Sequence, residues 1–240
     1  MASLQIFDRI NPVSFGDSSA TIRSMPIKSY FDEMLLTKQQ KAERISLAND
    51  IEDAMLFFFS LVILQREYAY LAGISVIDVK EQFRSRMHEV VERHAELTPE
   101  LISHIDECVD DIVQITTEHV EILLALMDDS EDSIHLESAK KTEEYYLSDD
   151  RARLFGEEES NTIFNNVDYW KAKRLGRTKK TWVTMRDSRV RVTHQEIEDK
   201  TIPIDELFLV GNSFMRYPRD TKYGANIREI LGCRCSCVYK

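Results

Sequence analysis

The chain has 240 residues, 43% hydrophobic and 30% charged, with a formal net charge of −11. That apolar share can bury a sizeable core, which excludes wholesale disorder, and the length suits one large domain or two small ones. With 7 glycines and 5 prolines, well under the roughly 7% and 5% of average proteins, collagen-like, low-complexity and loop-rich β architectures are excluded as well.

Residues 1–30 carry Pro12, Gly16, Pro26 and a polar SFGDSSA stretch, and read as an extended arm. The opening MASLQIFDRI has no basic region ahead of an apolar core, so no signal peptide is expected. Residues 31–72 lack both glycine and proline and read as one long helix, or two broken near Asn49, with Gly73 as the stop. Within this stretch Met55–Leu64, MLFFFSLVIL, is the longest nearly unbroken apolar run. A bilayer span needs roughly twenty residues, and charges flank the run closely, so it reads as a helix buried in a bundle and no membrane partner is expected. Val79, Phe83, Met87, Val90, His94 and Leu97 recur at steps of three and four and mark an amphipathic helix over 77–97.

Thr98 and Pro99 then supply an N-cap and a suitable first helical residue. The helix they open should run to about Met127 along a seam of Leu101, Ile105, Cys108, Ile112, Ile115, His119, Ile122 and Leu126, before an acidic break at Asp128, Asp129, Glu131 and Asp132. Ser148-Asp149-Asp150 caps a further helix running to Leu175, with Gly176 as its C-terminal stop. Beyond it the texture turns β-prone, at Thr181–Met185, Arg189–Thr193, Ile202–Asp205, Leu207–Val210 and Cys235–Tyr239. The expected class is therefore α+β: an arm over 1–30, an acidic helical bundle or hairpin over 31–147, and a small α+β domain with a short antiparallel sheet over 148–240. Charge divides in a similar way. Residues 165–240 hold 16 Lys+Arg against 9 Asp+Glu, net +7, whereas residues 1–164 carry −18. Such asymmetry points to two regions with different partners.

Familiar catalytic patterns are missing. His88 and His94 stand too far apart for a zinc-protease helix, and no histidine follows a glutamate by three residues as di-metal bundles require. His94 and His119 lie on apolar seams and read as core or edge residues. No phosphate-cradling glycine loop or Gly-x-Ser-x-Gly elbow is present. The densest basic run, Lys171, Lys173, Arg174, Arg177, Lys179 and Lys180, suits either phosphates or an acidic partner, or simply a solvated helix end. Of the interleaved aromatics, Trp182 is expected to anchor a small core.

Three of the four cysteines crowd into Cys233-Arg-Cys-Ser-Cys237. Asp187, His194, Cys233 and Cys235 are competent zinc ligands, and four ligands close a structural site. Against zinc, Cys-x-Cys is not the usual Cys-x-x-Cys knuckle, and cysteines two apart on a strand face one side together as small hydrophobes. Reduced structural thiols are the plainer reading. A nucleophilic Cys/His pair is a third, without a supporting motif.

The motifs of the C-terminal third occur in a recognisable order. The helix carries Glu159-Ser-Asn161-Thr-Ile-Phe-Asn165 and leads to Trp182 through Gly176; Asp187-Ser-Arg189-Val-Arg191-Val-Thr-His194 follows. Glu206-Leu-Phe208, Pro218-Arg-Asp220 and Cys233-Arg234-Cys235 complete the series. Over residues 151–240 this resembles the Mu F-like phage head morphogenesis family, the minor head proteins of tailed bacteriophages. The sequence departs from the family pattern at three places: Gly232 stands where asparagine is usual, Glu198-Asp199-Lys200 where a glycine often follows the histidine, and Arg219 where Pro-Gly-Asp has glycine.

The resemblance implies a structural protein of head assembly, located in the virion at the portal vertex or procapsid interior. Its partners would be portal, capsid or scaffold protein, and DNA. It carries over no catalytic residue. Asp187 is expected to pair with Arg189 or Arg191 and fix a strand there. Two other functions fit the residues: a metal-dependent hydrolase or toxin-like enzyme using Asp187, His194 and the cysteines, and a DNA-binding module using Lys171–Lys180. No complete catalytic motif supports an enzyme.

Overall fold

The computed structural model describes residues 31–72, 76–129 and 145–240. The expected arm over 1–30, the Gly73 stop and the break at Glu131 and Asp132 lie outside the described residues. The fold is α+β. Four long helices come first: α1 (Lys38–Ala72), α2 (Val76–Glu92), α3 (Pro99–Asp129) and α4 (Asp149–Arg174). They are followed by β1 (Lys179–Val183), α5 (Val192–Gln195), β2 (Thr201–Pro203), β3 (Phe208–Val210), β4 (Ser213–Met215), α6 (Ile227–Ile230) and β5 (Ser236–Tyr239). The chain forms two compact units. One is Asn49–Gly156, and the other joins the chain through Ala48 to Glu157–Lys240.

In the helical unit, the N-cap signals at Thr98 and Ser148 are realised, whereas α1 starts at Lys38 rather than at residue 31 and α2 stops at Glu92, short of the expected His94 and Leu97. The Thr98 hydroxyl accepts from the Leu101 N–H at 3.2 Å, and the Ser148 hydroxyl from the Arg151 N–H at 3.2 Å. Each satisfies one of the donors a helix start leaves unpaired. α1 runs unbroken through Asn49. The aromatic run on α1 buries Met55, Phe58, Phe59 and Val62, and Phe58 stacks on Phe83 of α2 with ring centroids 4.6 Å apart. The α3 seam is buried at Leu101, Ile105, Ile112 and Ile115, with Cys108 half-buried. His94 is an edge residue bonded to Asp50 at 2.7 Å, and His119 stacks on Tyr146. Among the described residues no helix is long and apolar enough to cross a membrane.

In the α+β unit, α4 ends at Gly176, which takes φ +70 while the Gly176 and Arg177 N–H groups reach back to the carbonyls of Lys173 and Ala172. That is the αL stop expected of a C-terminal glycine. β1 is the middle strand of an antiparallel sheet ordered β2-β1-β5, with Lys180 opposite Ile202 and Trp182 opposite Cys237. β3 and β4 form a separate hairpin in which Phe208 pairs with Met215. Its two-residue turn places Gly211 at φ +57, a conformation glycine adopts without a Cβ penalty.

One expected strand does not form. Residues 187–190 turn and 192–195 are α5. The Asp187 carboxylate accepts the Arg189 N–H at 3.0 Å and closes the turn. Strand alternation there would bury Val190 and Val192 together, but Val192 is 68% exposed, and the buried residues are His194 and Ile197, three apart as on a helix.

Candidate functional site

Trp182 is fully buried on β1 and centres the core of the α+β unit. Phe208 meets it edge-on at 5.2 Å and the His194 ring at 5.6 Å. Cys233 and Cys235 lie in the same core. Residues spread over fifty positions of sequence therefore converge on one indole.

His194, Cys233 and Cys235 form the tightest chemical cluster. All three are buried, and their ligand atoms lie within 4.8 Å of one another. His194 Nδ1 is 3.4 Å from Cys235 Sγ and 3.7 Å from Cys233 Sγ. On the far side of the ring, His194 Nε2 is 3.0 Å from Glu229 Oε2, which also accepts from the Thr193 hydroxyl at 2.7 Å. Because a carboxylate only accepts, Glu229 sets Nε2 as the donor and leaves Nδ1 facing the sulfurs. Glu229 sits on α6, and no spacing signal in the sequence pointed to it.

The backbone holding the two cysteines is fixed by α4. Asn161 donates to the Cys233 carbonyl at 3.1 Å, and Asn165 donates to the carbonyls of Pro218 and Cys235 at 3.2 and 3.5 Å. Gly211 leaves room beside the carboxylate, since a Cβ there would meet Glu229 Oε1 at 2.9 Å.

The electrostatics divide the two thiols. Hydrogen bonding from the Cys235 thiol draws the Cys233 pKa well below its ordinary value; burial opposes this and His194 assists it. Cys235 moves well above, because it holds its proton for Cys233 and is itself buried. Burial alone would depress the His194 pKa, yet the hydrogen bond with Cys233 outweighs it and the net direction is upward. A thiol of lowered pKa, an imidazole and a carboxylate stand in the order of a nucleophile, its base and an orienting group. However, His194 and Cys233 are each 1% exposed, which suits a metal or a hydrogen-bonded core better than a substrate.

Asp187 does not join this cluster. Its carboxylate is held by Arg234 Nη2 at 2.7 and 2.9 Å, and by Arg189 at 3.3 Å. Burial works to raise the Asp187 pKa, but the Arg234 hydrogen bonds carry it below the usual carboxylate value. The expected pairing with Arg189 is thus present beside a stronger one with Arg234. Arg191 instead donates to the Leu231 carbonyl. Pro218 and Asp220 are buried, and Asp220 clamps Arg216 through bonds of 2.7 and 2.9 Å.

The basic run is not one surface. Lys171, Arg174, Arg177 and Lys179 are exposed, while Lys173 is ion-paired with Asp205 and lies over the Tyr169 and Trp170 rings. Lys180 points inward. It is fully buried, with its ammonium between the rings of Tyr169 and Phe208 at 5.2 and 5.3 Å. Strand alternation explains this, because Lys180 shares a face with Trp182. Burial lowers its pKa to about 8, and burial lifts neighbouring Cys237 to about 12.

No family model, no curated protein and no solved structure matches the chain.

Proposed function

We propose that the α+β unit is a structural assembly module, in which the motif residues Trp182, His194, Phe208, Cys233 and Cys235 are buried together in its core. More particularly, the protein acts as a minor head protein of the Mu F-like kind, in head assembly of a tailed bacteriophage. The observation that carries this reading concerns the three departures from the family pattern. Each departure contains a residue of positive φ: Arg219 at 70°, Asp199 within Glu198-Asp199-Lys200 at 58°, and Gly232 at 62°. Glycine and asparagine are the residues that enter this region most readily. Each departure thus keeps a backbone region that glycine and asparagine favour, which supports the reading. At Arg219 the cost of about 1–2 kcal/mol is offset by buried bonds to Glu158, the Thr162 hydroxyl and the Ile230 carbonyl.

On this reading the acidic helical region docks on portal, capsid or scaffold protein, and Lys171, Arg177 and Lys179 face packaged DNA or an acidic partner. The site of action is the capsid interior or portal vertex. The test is genetic and biochemical. The gene should lie beside portal and capsid or scaffold genes, and a tagged chain should co-sediment with purified heads. A gene set apart from any head genes, together with a chain absent from the heads of its own phage, would overturn the reading.

A further inference from the structure

The cluster around His194 has the shape of a metal site. In tetrahedral zinc, bond lengths of about 2.3 Å to sulfur and 2.0–2.1 Å to nitrogen put the N···S edge near 3.6 Å. The two edges measured here are 3.4 and 3.7 Å. The sulfur–sulfur edge, about 3.8 Å in the same tetrahedron, falls within the 4.8 Å that contains all three donor atoms. Glu229 engages Nε2 on the far side of the ring, which leaves Nδ1 on the side of the two sulfurs.

We infer that His194 Nδ1, Cys233 Sγ and Cys235 Sγ bind one zinc ion, with Glu229 as the outer carboxylate that orients the imidazole. The donor set selects the metal. Two thiolates and an imidazole suit zinc, whereas magnesium and calcium demand oxygen ligands. Two thiolates also cancel the charge of a divalent ion, so the loaded cluster adds no net charge to the core. A carboxylate behind a ligating histidine is the usual outer-shell arrangement for zinc. Asn161 and Asn165 fix the cysteine backbone from α4, and Gly211 keeps the space Glu229 occupies. Three donors leave one tetrahedral vertex to an exogenous ligand, and burial restricts that ligand to the size of water. The ion therefore staples α5 to the segment entering β5. This assignment stands apart from the head-assembly reading, since its test reads metal alone.

The experiment uses the full chain, purified under reducing conditions, with zinc measured by mass spectrometry and Co²⁺ titrated into the apo form. The expected result is one zinc per chain and a thiolate-to-cobalt charge-transfer band with intense tetrahedral d–d transitions. Cys233→Ser and Cys235→Ser should each lose the retained zinc, and Cys108→Ser should keep it. Glu229→Gln should weaken binding by about 10-fold and shift the d–d bands. Should the cysteine variants fail to fold, the wild-type titration decides alone. A folded wild-type chain without the charge-transfer band, or a band that persists in the folded Cys233→Ser/Cys235→Ser double variant, would overturn the site.

Discussion

Replacing Lys180 by methionine should make the protein more stable, and the gain should depend on pH. The ammonium of Lys180 is buried without a hydrogen-bond partner. Burial draws its pKa from 10.5 to about 8, against the pull of Cys237. A drop of that size corresponds to about 3 kcal/mol disfavouring the charged form in the fold. Attraction to the faces of Tyr169 and Phe208 offsets about 1–2 kcal/mol of it. Methionine keeps the unbranched stem and removes the charge, so Lys180→Met should gain about 1–2 kcal/mol at neutral pH.

The sign of the pH effect follows from where the proton resides. The unfolded lysine keeps its proton until about pH 10.5, and the folded one releases it near 8. Between these values the unfolded chain binds more protons, so wild-type stability rises with pH. The variant lacks this group, so its advantage should be full below about pH 8 and shrink towards 10.5. Urea unfolding of both proteins at about pH 7, 8.5 and 9.5, with m-values compared, measures the difference. An advantage that stays constant with pH, or a variant less stable than wild type at pH 7, would refute the argument.

Other perturbations test the remaining contacts. Trp182→Ala should cost about 3–5 kcal/mol in urea unfolding, because it empties the centre of the α+β core. Glu158→Leu leaves the buried Arg219 guanidinium without its carboxylate and should cost about 3 kcal/mol; thermal melts suffice to detect it. If Lys171, Arg177 and Lys179 meet phosphates, duplex DNA binding should weaken with salt at a log–log slope of about −3, and flat binding would remove that contact.

Legibility of the sequence varied with the range of the interactions involved. The helix starts at Thr98 and Ser148 and the stop at Gly176 were readable because their causes are local and act within one turn; the end of α2 at Glu92 carries no such signal, and apolar periodicity alone overran it to Leu97. Trp182 as a core anchor followed from its size and its β-prone surroundings. Arg189–Thr193 misled, because β-branched residues favour strands only when a sheet face awaits them. The Asp187 turn and the burial of His194 decided otherwise. Lys180 read as surface because charge is normally solvated, and only strand register places it beside Trp182. Of the four zinc ligands suggested by residue type, geometry gathers three and gives Asp187 to Arg234. Glu229 was invisible because its role depends on the histidine tautomer 35 residues away. The Gly211-Asn212 turn did carry a two-residue hairpin signal, although β4 was not expected.

The discontinuity of the α+β unit has a kinetic consequence. Its Arg44–Asp168 ion pair spans 124 residues, and the whole Asn49–Gly156 helical unit lies between its two stretches. Closing a loop of that length costs about 4 kcal/mol of chain entropy. Contacts in the helical unit are local by comparison, and local contacts form fastest. Refolding should therefore show early recovery of helical circular dichroism and later recovery of tryptophan fluorescence, since Trp170 and Trp182 both belong to the discontinuous unit. Simultaneous recovery of the two signals would contradict that order.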